Sequence, residues 1–271
     1  MAGPILSARG VVFRHPGREV LRGVDLDIAV ADRLAVLGAN GSGKSTLLRL
    51  LAGAIDPAAG RLTLDGAPYR RDRRGRNRLR RRVQLVLQDP DDQLFATTVA
   101  ADVSYGPANL GLDRAEIDRR VAAAMAAAEV AHLADRVPHQ LSFGQRKRVA
   151  LAGALAMEPE VLLLDEPTAG LDPAATRRLM ATLGRLHAAG TAVVMATHDV
   201  DSAWEFAEHA AVLVDGRART GPAAELLADP ALAARARLTP PWAPLVSAAL
   251  GRSVTRPEDL LDPGDDPGAG G

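Results

Sequence analysis

The sequence predicts an α/β fold: a mostly parallel core sheet, an antiparallel β subdomain at the N-terminus and an inserted helical subdomain. Three observations predict it. Short apolar runs alternate with segments of helical period through most of the chain, the pattern of βαβ units. Before that alternation begins, two strand-like runs flank a tight turn. From Thr98 to Met157 the patterning is helical throughout, interrupting the alternation.

The 271 residues, 47% of them hydrophobic, suffice for one large core. Net charge is zero, so nothing global calls for nucleic acid or an acidic membrane surface. There are no cysteines, which excludes disulfides and thiolate metal sites and fits a reducing compartment. The opening MAGPILSARG lacks the apolar core of an export signal. No apolar run approaches the roughly 20 residues that span a bilayer.

Element by element, ILSARGVVF and VLRGVDLDI alternate about the turn HPGRE and predict a hairpin. DRLAVLGANGSGKSTLLRLLAG reads as strand, glycine loop and helix, and GRLTLDG as a short strand ending in a turn. Nine arginines lie between Arg70 and Arg82. Apart from Tyr69, the aromatics that would interleave with bases are missing there. The run therefore predicts a solvated edge of the sheet, its stems covering apolar surface, and no nucleic-acid partner. VQLVLQ is a strand, followed by the loop DPDDQLF; RRVAAAMAAAEVAHLA is an Ala-rich helix.

LSFGQRKR, beginning at Leu141, predicts another helix start. Ser142 suits an N-cap and Gln145 completes a capping box, with Val149, Ala152, Gly153 and Ala156 on one face. EVLLLDE is a buried strand, too short and too uniformly apolar for a helix. PAATRRLMATLGRLHAAG is a helix, TAVVMATH a strand, and AVLVDGRART a hairpin turning at Asp-Gly. The end, DPGDDPGAGG, has the composition of a disordered tail.

The segment Gly38, Ala39, Asn40, Gly41, Ser42, Gly43, Lys44, Ser45, Thr46 fits a phosphate-binding loop and sits where one must, after an apolar strand and before a helix. Its glycines let backbone N–H groups face phosphate oxygens. Lys44 reaches the outer phosphates, and Ser45 offers a hydroxyl to Mg²⁺. Asp165 stands at the C-terminal end of a buried strand, where ligands bind in open α/β sheets, and can hold Mg²⁺ through water. Glu166 follows and can polarise an attacking water. His198 ends one strand and Gln88 another, on the same side of the sheet. A helix N-terminus with a hydroxyl and a glycine is also a good phosphate site, so Ser142 and Gly144 form a second one.

In this order, the phosphate loop, Gln88, LSFGQ, LLLDEP, AGLD and THD resemble the ATP-binding cassette (ABC) ATPases, from about residue 4 to residue 235. The resemblance implies ATP and Mg²⁺ as cofactors, with a nucleotide-binding domain over residues 1–235. Within it the helical subdomain covers about 90–157; a short extension, 236–262, and a disordered tail, 263–271, follow. It implies that Leu141, Ser142, Phe143, Gly144 and Gln145 form the signature that closes over ATP held by a second subunit, itself a copy or a related ABC ATPase. It implies catalytic roles for Glu166, His198 and Gln88. By the same resemblance Gln88 would also sense the membrane partner and join Ser45 and Asp165 in the Mg²⁺ set, and Asp172 would lie on the loop that runs across the dimer interface. Two positions depart from the family pattern. Phe143 stands where glycine is usual. His15 stands where a Tyr stacks on adenine, with Phe13 on the same strand face but in a core position.

QDPDDQLFATTVAADVSYGPANLGL, LSFGQRKRVALAGALAMEPEVLLLDEPTAGLDP and LTPPWAPLVSAAL are similar to the ATPase of energy-coupling factor importers, especially the cobalt and nickel branch. This implies a peripheral subunit at the cytoplasmic face of the cell membrane, partnered by an integral coupling subunit and a substrate-binding membrane subunit. Leu94 and Phe95 would line the groove for a coupling helix. Transport of a vitamin or other small molecule, or a non-transport soluble role, are the alternatives.

Overall fold

The structure is a computed structural model that describes residues 3–70, 72–252, 254 and 257–260. The expected disordered tail, 263–271, lies outside the described residues. The chain opens with the hairpin β1 (Leu6–His15) and β2 (Arg18–Ile28), followed by β3 (Arg33–Leu37) and α1 (Lys44–Leu51). Strands β4 (Ala59–Leu64) and β5 (Ala67–Pro68), helix α2 (Arg73–Arg82) and strand β6 (Val83–Val86) come next. Three helices follow: α3 (Val99–Asn109), α4 (Arg114–Ala127) and α5 (Phe143–Leu155). Then β7 (Val161–Asp165), α6 (Pro173–Ala188), β8 (Ala192–Thr197) and α7 (Val200–Phe206) restore the alternation. The hairpin β9 (His209–Val214) and β10 (Arg217–Pro222) leads to α8 (Ala223–Leu227), α9 (Pro230–Ala236) and α10 (Trp242–Leu250).

Among the described residues the strands form two sheets. The smaller runs β2-β1-β4-β5 and is antiparallel; the larger runs β10-β9-β3-β8-β7-β6 and is parallel except for β10. The uniformly apolar β7 is explained by burial on both faces. Val161 and Leu163 join the core shared with α1 and the antiparallel sheet, whereas Leu162 and Leu164 pack with the helices α3–α6. The β9–β10 hairpin turns at Asp215 and Gly216, both at positive φ (51° and 78°), as the Asp-Gly pair predicts.

The register of the large sheet sets up the site. Leu37 of β3 lies opposite Thr197 of β8, Ala196 of β8 opposite Asp165 of β7, and Leu164 of β7 opposite Val86 of β6. Four neighbouring strands therefore end together. Asp165 at the end of β7 and the loops that leave the four strands, with the phosphate loop, His198, Glu166 and Gln88, share one edge of the sheet.

Two expectations are corrected. The arginine run is the helix α2 for most of its length, leading into the edge strand β6. Asp72 caps it by accepting from Gly75 N at 2.8 Å, arginine has high helix propensity, and Leu79, 1% exposed, anchors its single apolar contact. Asp56, Asp65 and Glu160 pair with Arg76, Arg78 and Arg82, so part of the charge is balanced locally. Leu94 does not line a groove: it is buried with the helical layer, and only Phe95 is exposed.

Candidate functional site

The loop after β3 owes its shape to glycine. Gly43 (φ 107°) is the N-cap of α1 and supplies no capping side chain, which leaves the first-turn N–H groups free to meet a ligand. A Cβ there would lie 2.9 Å from Leu21. Lys44 opens the helix with its ammonium buried, donating to Gly38 O at 2.8 Å and standing 3.3 Å from Glu166 Oε1.

These groups line a cleft of about 450 Å³, together with Asn40, Gly41, Ser45, Thr46, Gln88, His15, Arg18 and Val20. The volume suits a nucleotide-sized ligand. His15 sits at its mouth, opposite Arg18 in the hairpin register, with its ring edge-on to Phe13 at 5.1 Å between centroids. Phe13 itself packs partly buried against the core. Arg18 was not expected. Its signal was only its place across the turn from His15.

At the far wall, Glu166 is 6% exposed and in the left-handed region at φ 45°. Its N–H donates to Ala196 O at 2.8 Å. Its Oε2 lies 3.0 Å from His198 Nδ1 and accepts from Thr197 Oγ1 at 3.3 Å, so β8 orients the carboxylate. Thr197, fully buried, is a positioning contact that the sequence did not signal. Asp165 is buried too, and desolvation raises its pKa; the facing Ser45 hydroxyl works the other way. Asp165 Oδ1 is buried with no hydrogen-bond partner, and Glu166 Oε1 has only the Lys44 ammonium, 3.3 Å away. An unpaired Asp165 oxygen facing the Ser45 hydroxyl, with Gln88 lining the same cleft as Ser45, is a hard-oxygen donor set, which fits Mg²⁺.

The segment Leu141–Gln145 is elsewhere. None of its five residues, all described, lines this cleft. Ser142 caps α5, with the reciprocal capping box that the sequence predicts: Gln145 N donates to Ser142 Oγ at 3.3 Å and Ser142 N to Gln145 Oε1 at 2.9 Å. Ser142 is exposed, so its N-terminal dipole faces outward. Phe143 packs on the loop after β7, where a Cβ on Gly170 would come within 2.8 Å of its ring. A glycine at 143 would leave that contact empty. Asp172 uses its carboxylate to cap α6, accepting from Ala175 N at 2.7 Å. Lys147, 7% exposed, was also not expected: its Nζ donates to Glu166 O, Pro167 O and Ala169 O at 2.8, 3.1 and 2.8 Å. Burial pushes its ammonium down to about 8.

A second cleft, about 550 Å³, opens between the sheet and the helical layer. Phe95 and Tyr105 meet edge-on there at 4.7 Å and stay 61% and 56% exposed; Gln93, Arg80 and Arg81 stand along the rim. Asp102 fixes the loop from behind, accepting from Phe95 N at 2.9 Å and Ala96 N at 2.8 Å.

A family model described as ABC transporter matches residues 21–169. The chain is 54% identical over 242 residues to an ABC transporter ATP-binding protein of Streptomyces coelicolor, covering 89% of this chain and 85% of that one. It is 48% identical to the cobalt import ATP-binding protein CbiO of Rhodobacter capsulatus over 94% of this chain and 91% of that one. Its fold is similar to that of cbiO1 from Clostridium perfringens, part of the transporter complex cbiONQ. The TM-score is 0.77 and the identity 37%, over 92% of this chain and 99% of that one.

Proposed function

The chain belongs to the ABC transporter family and is an ATPase of that family, and we propose that it powers an energy-coupling factor importer of cobalt or nickel. The observation that carries the importer reading is the exposed Phe95–Tyr105 pair in the cleft beside the helical layer. Large apolar side chains held in a groove with a polar rim suit an inserted helix of a membrane subunit. The likeness to CbiO supports a metal-ion cargo. No described helix is long and apolar enough to cross a membrane, so the chain would sit peripherally, at the cytoplasmic face.

The residues divide the work as follows. The α1 N-terminus and Lys44 bind the ATP phosphates. Ser45, Asp165 and Gln88 would hold Mg²⁺, which when bound neutralises phosphate charge. Glu166 accepts a proton from the attacking water, and His198 and Thr197 hold that carboxylate in place. His15 and Arg18 meet the base and ribose end. The outward-facing Ser142 and Gly144 complete the site of a second subunit, a copy or a related ABC ATPase, with Asp172 near the dimer axis.

The experiment is coexpression with the membrane subunits of a cobalt or nickel energy-coupling factor importer. Phe95→Ser with Tyr105→Ser should abolish copurification and leave the free subunit's ATPase activity intact. Vesicles holding the complex should take up cobalt or nickel when loaded with ATP. Retained copurification would exclude the groove, and uptake of a vitamin instead would replace the cargo.

A further inference from the structure

The loop Glu166–Leu171 carries the proposed water-activating carboxylate at one end and leads to Asp172 at the other, yet its own hydrogen bonds are few. Ala169 N donates to Glu166 O and Leu171 N to Thr168 O. What fills its concave side is a side chain from another element. Lys147, in the second turn of α5, directs its buried ammonium at three carbonyl oxygens of this loop, all within 3.1 Å. An ammonium has three donors and no acceptor, so its capacity is fully used. Without it, three converging carbonyls would lose their shared donor in a place largely closed to water. The Phe143 ring lies 5.3 Å from the same nitrogen and rests on Gly170.

Glu166 needs this support. A non-glycine residue at φ 45° is in a costly region and persists only where its surroundings over-determine it. Its N–H is fixed from β8 and its carbonyl from α5.

We propose that Lys147 is a positioning residue that makes the signature helix and the Glu166–Leu171 loop one rigid unit. The arrival of Ser142 at a partner's nucleotide and the placement of Glu166 over the subunit's own then become one movement. This rests on the reading of Glu166 as the group that meets water.

The test uses the full chain with Lys147→Met, which removes all donors, and Lys147→Gln, which keeps two. ATP affinity of Lys147→Met should stay within about twofold of the parent while kcat falls about tenfold with KM little changed, the mark of an interaction lost in the transition state. Hydrogen exchange at Ala169 and Leu171 should quicken about tenfold while β7 and α1 keep parental protection. Lys147→Gln should recover part of both. Parental kcat and exchange in Lys147→Met would overturn the proposal, as would protection lost across β7 and α5 together, which marks a packing role only. Should Lys147→Met not fold, Lys147→Gln decides: raised exchange at the two amides upholds the proposal and parental exchange overturns it. A parent that binds ATP without turning it over would sink the role of Glu166, while the exchange readout, which needs no turnover, would still decide the link made by Lys147.

Discussion

His198 Nδ1 lies 3.0 Å from Glu166 Oε2, so the residue that follows β8 holds the carboxylate that follows β7. The contact exists because β7 and β8 are parallel neighbours with Asp165 opposite Ala196. Neither residue's position along the chain announces the other.

Glu166→Gln should keep ATP binding and lower turnover by about a hundredfold or more, the scale of losing a general base. The amide keeps the shape but cannot accept the water's proton. The ATP-bound dimer should then persist long enough to be seen by light scattering. Unchanged turnover would take Glu166 out of the chemistry.

Mixed dimers test the outward-facing Ser142. Lys44→Ala on one chain and Ser142→Arg on the other place both lesions at one composite site and should leave one site working. Both changes on one chain should damage both sites. The reverse pattern, with one site surviving when both changes sit on one chain and none when they are split, would show that the signature serves its own subunit's nucleotide.

His15→Tyr should tighten ATP binding by roughly 0.5–1 kcal/mol, the scale of an aromatic pair. A phenol offers more stacking area than an imidazole at the same cleft mouth. His15→Ala should weaken binding modestly without changing kcat. Calorimetry on the three forms decides, and unchanged affinity in His15→Ala would leave His15 as a turn residue.

Arg82 ties α2 to the turn after β4 and to the start of β7 through Asp65 and Glu160. Its hydrogen bond to Asp65 holds that carboxyl below its ordinary 3.8. The stabilisation is thus present above pH 3.8 and fades as pH falls through the lower folded value. Because Asp65 is 43% exposed, solvent screening limits the effect. Arg82→Met should cost about 1 kcal/mol at pH 7. In urea titrations the gap between parent and variant should narrow below pH 4; a constant gap would mean that the ion pair contributes nothing.

The sequence by itself determined the local chemistry. GANGSGKST forces its loop because glycines at Gly38 and Gly43 admit conformations that a Cβ would block. Ser142 and Gln145 cap α5 within three residues of each other, and alternation with strict apolar runs marks β1, β2 and β7. The charge of the arginine run hides its helical signal: a lone Leu79 gives no periodicity, and the Asp72 cap and arginine's helix propensity act without it. What only the tertiary structure decided is who meets whom. Strand order places β8 between β3 and β7, and that brings Lys44, Glu166 and His198 together from three parts of the chain. The same packing turns Leu94 inward, leaves Phe95 exposed, and buries the Lys147 ammonium among carbonyls 19 to 22 residues away. Periodicity records which face of an element is apolar; it carries no record of which element will cover that face, because that choice is made by the free energy of the whole packed core.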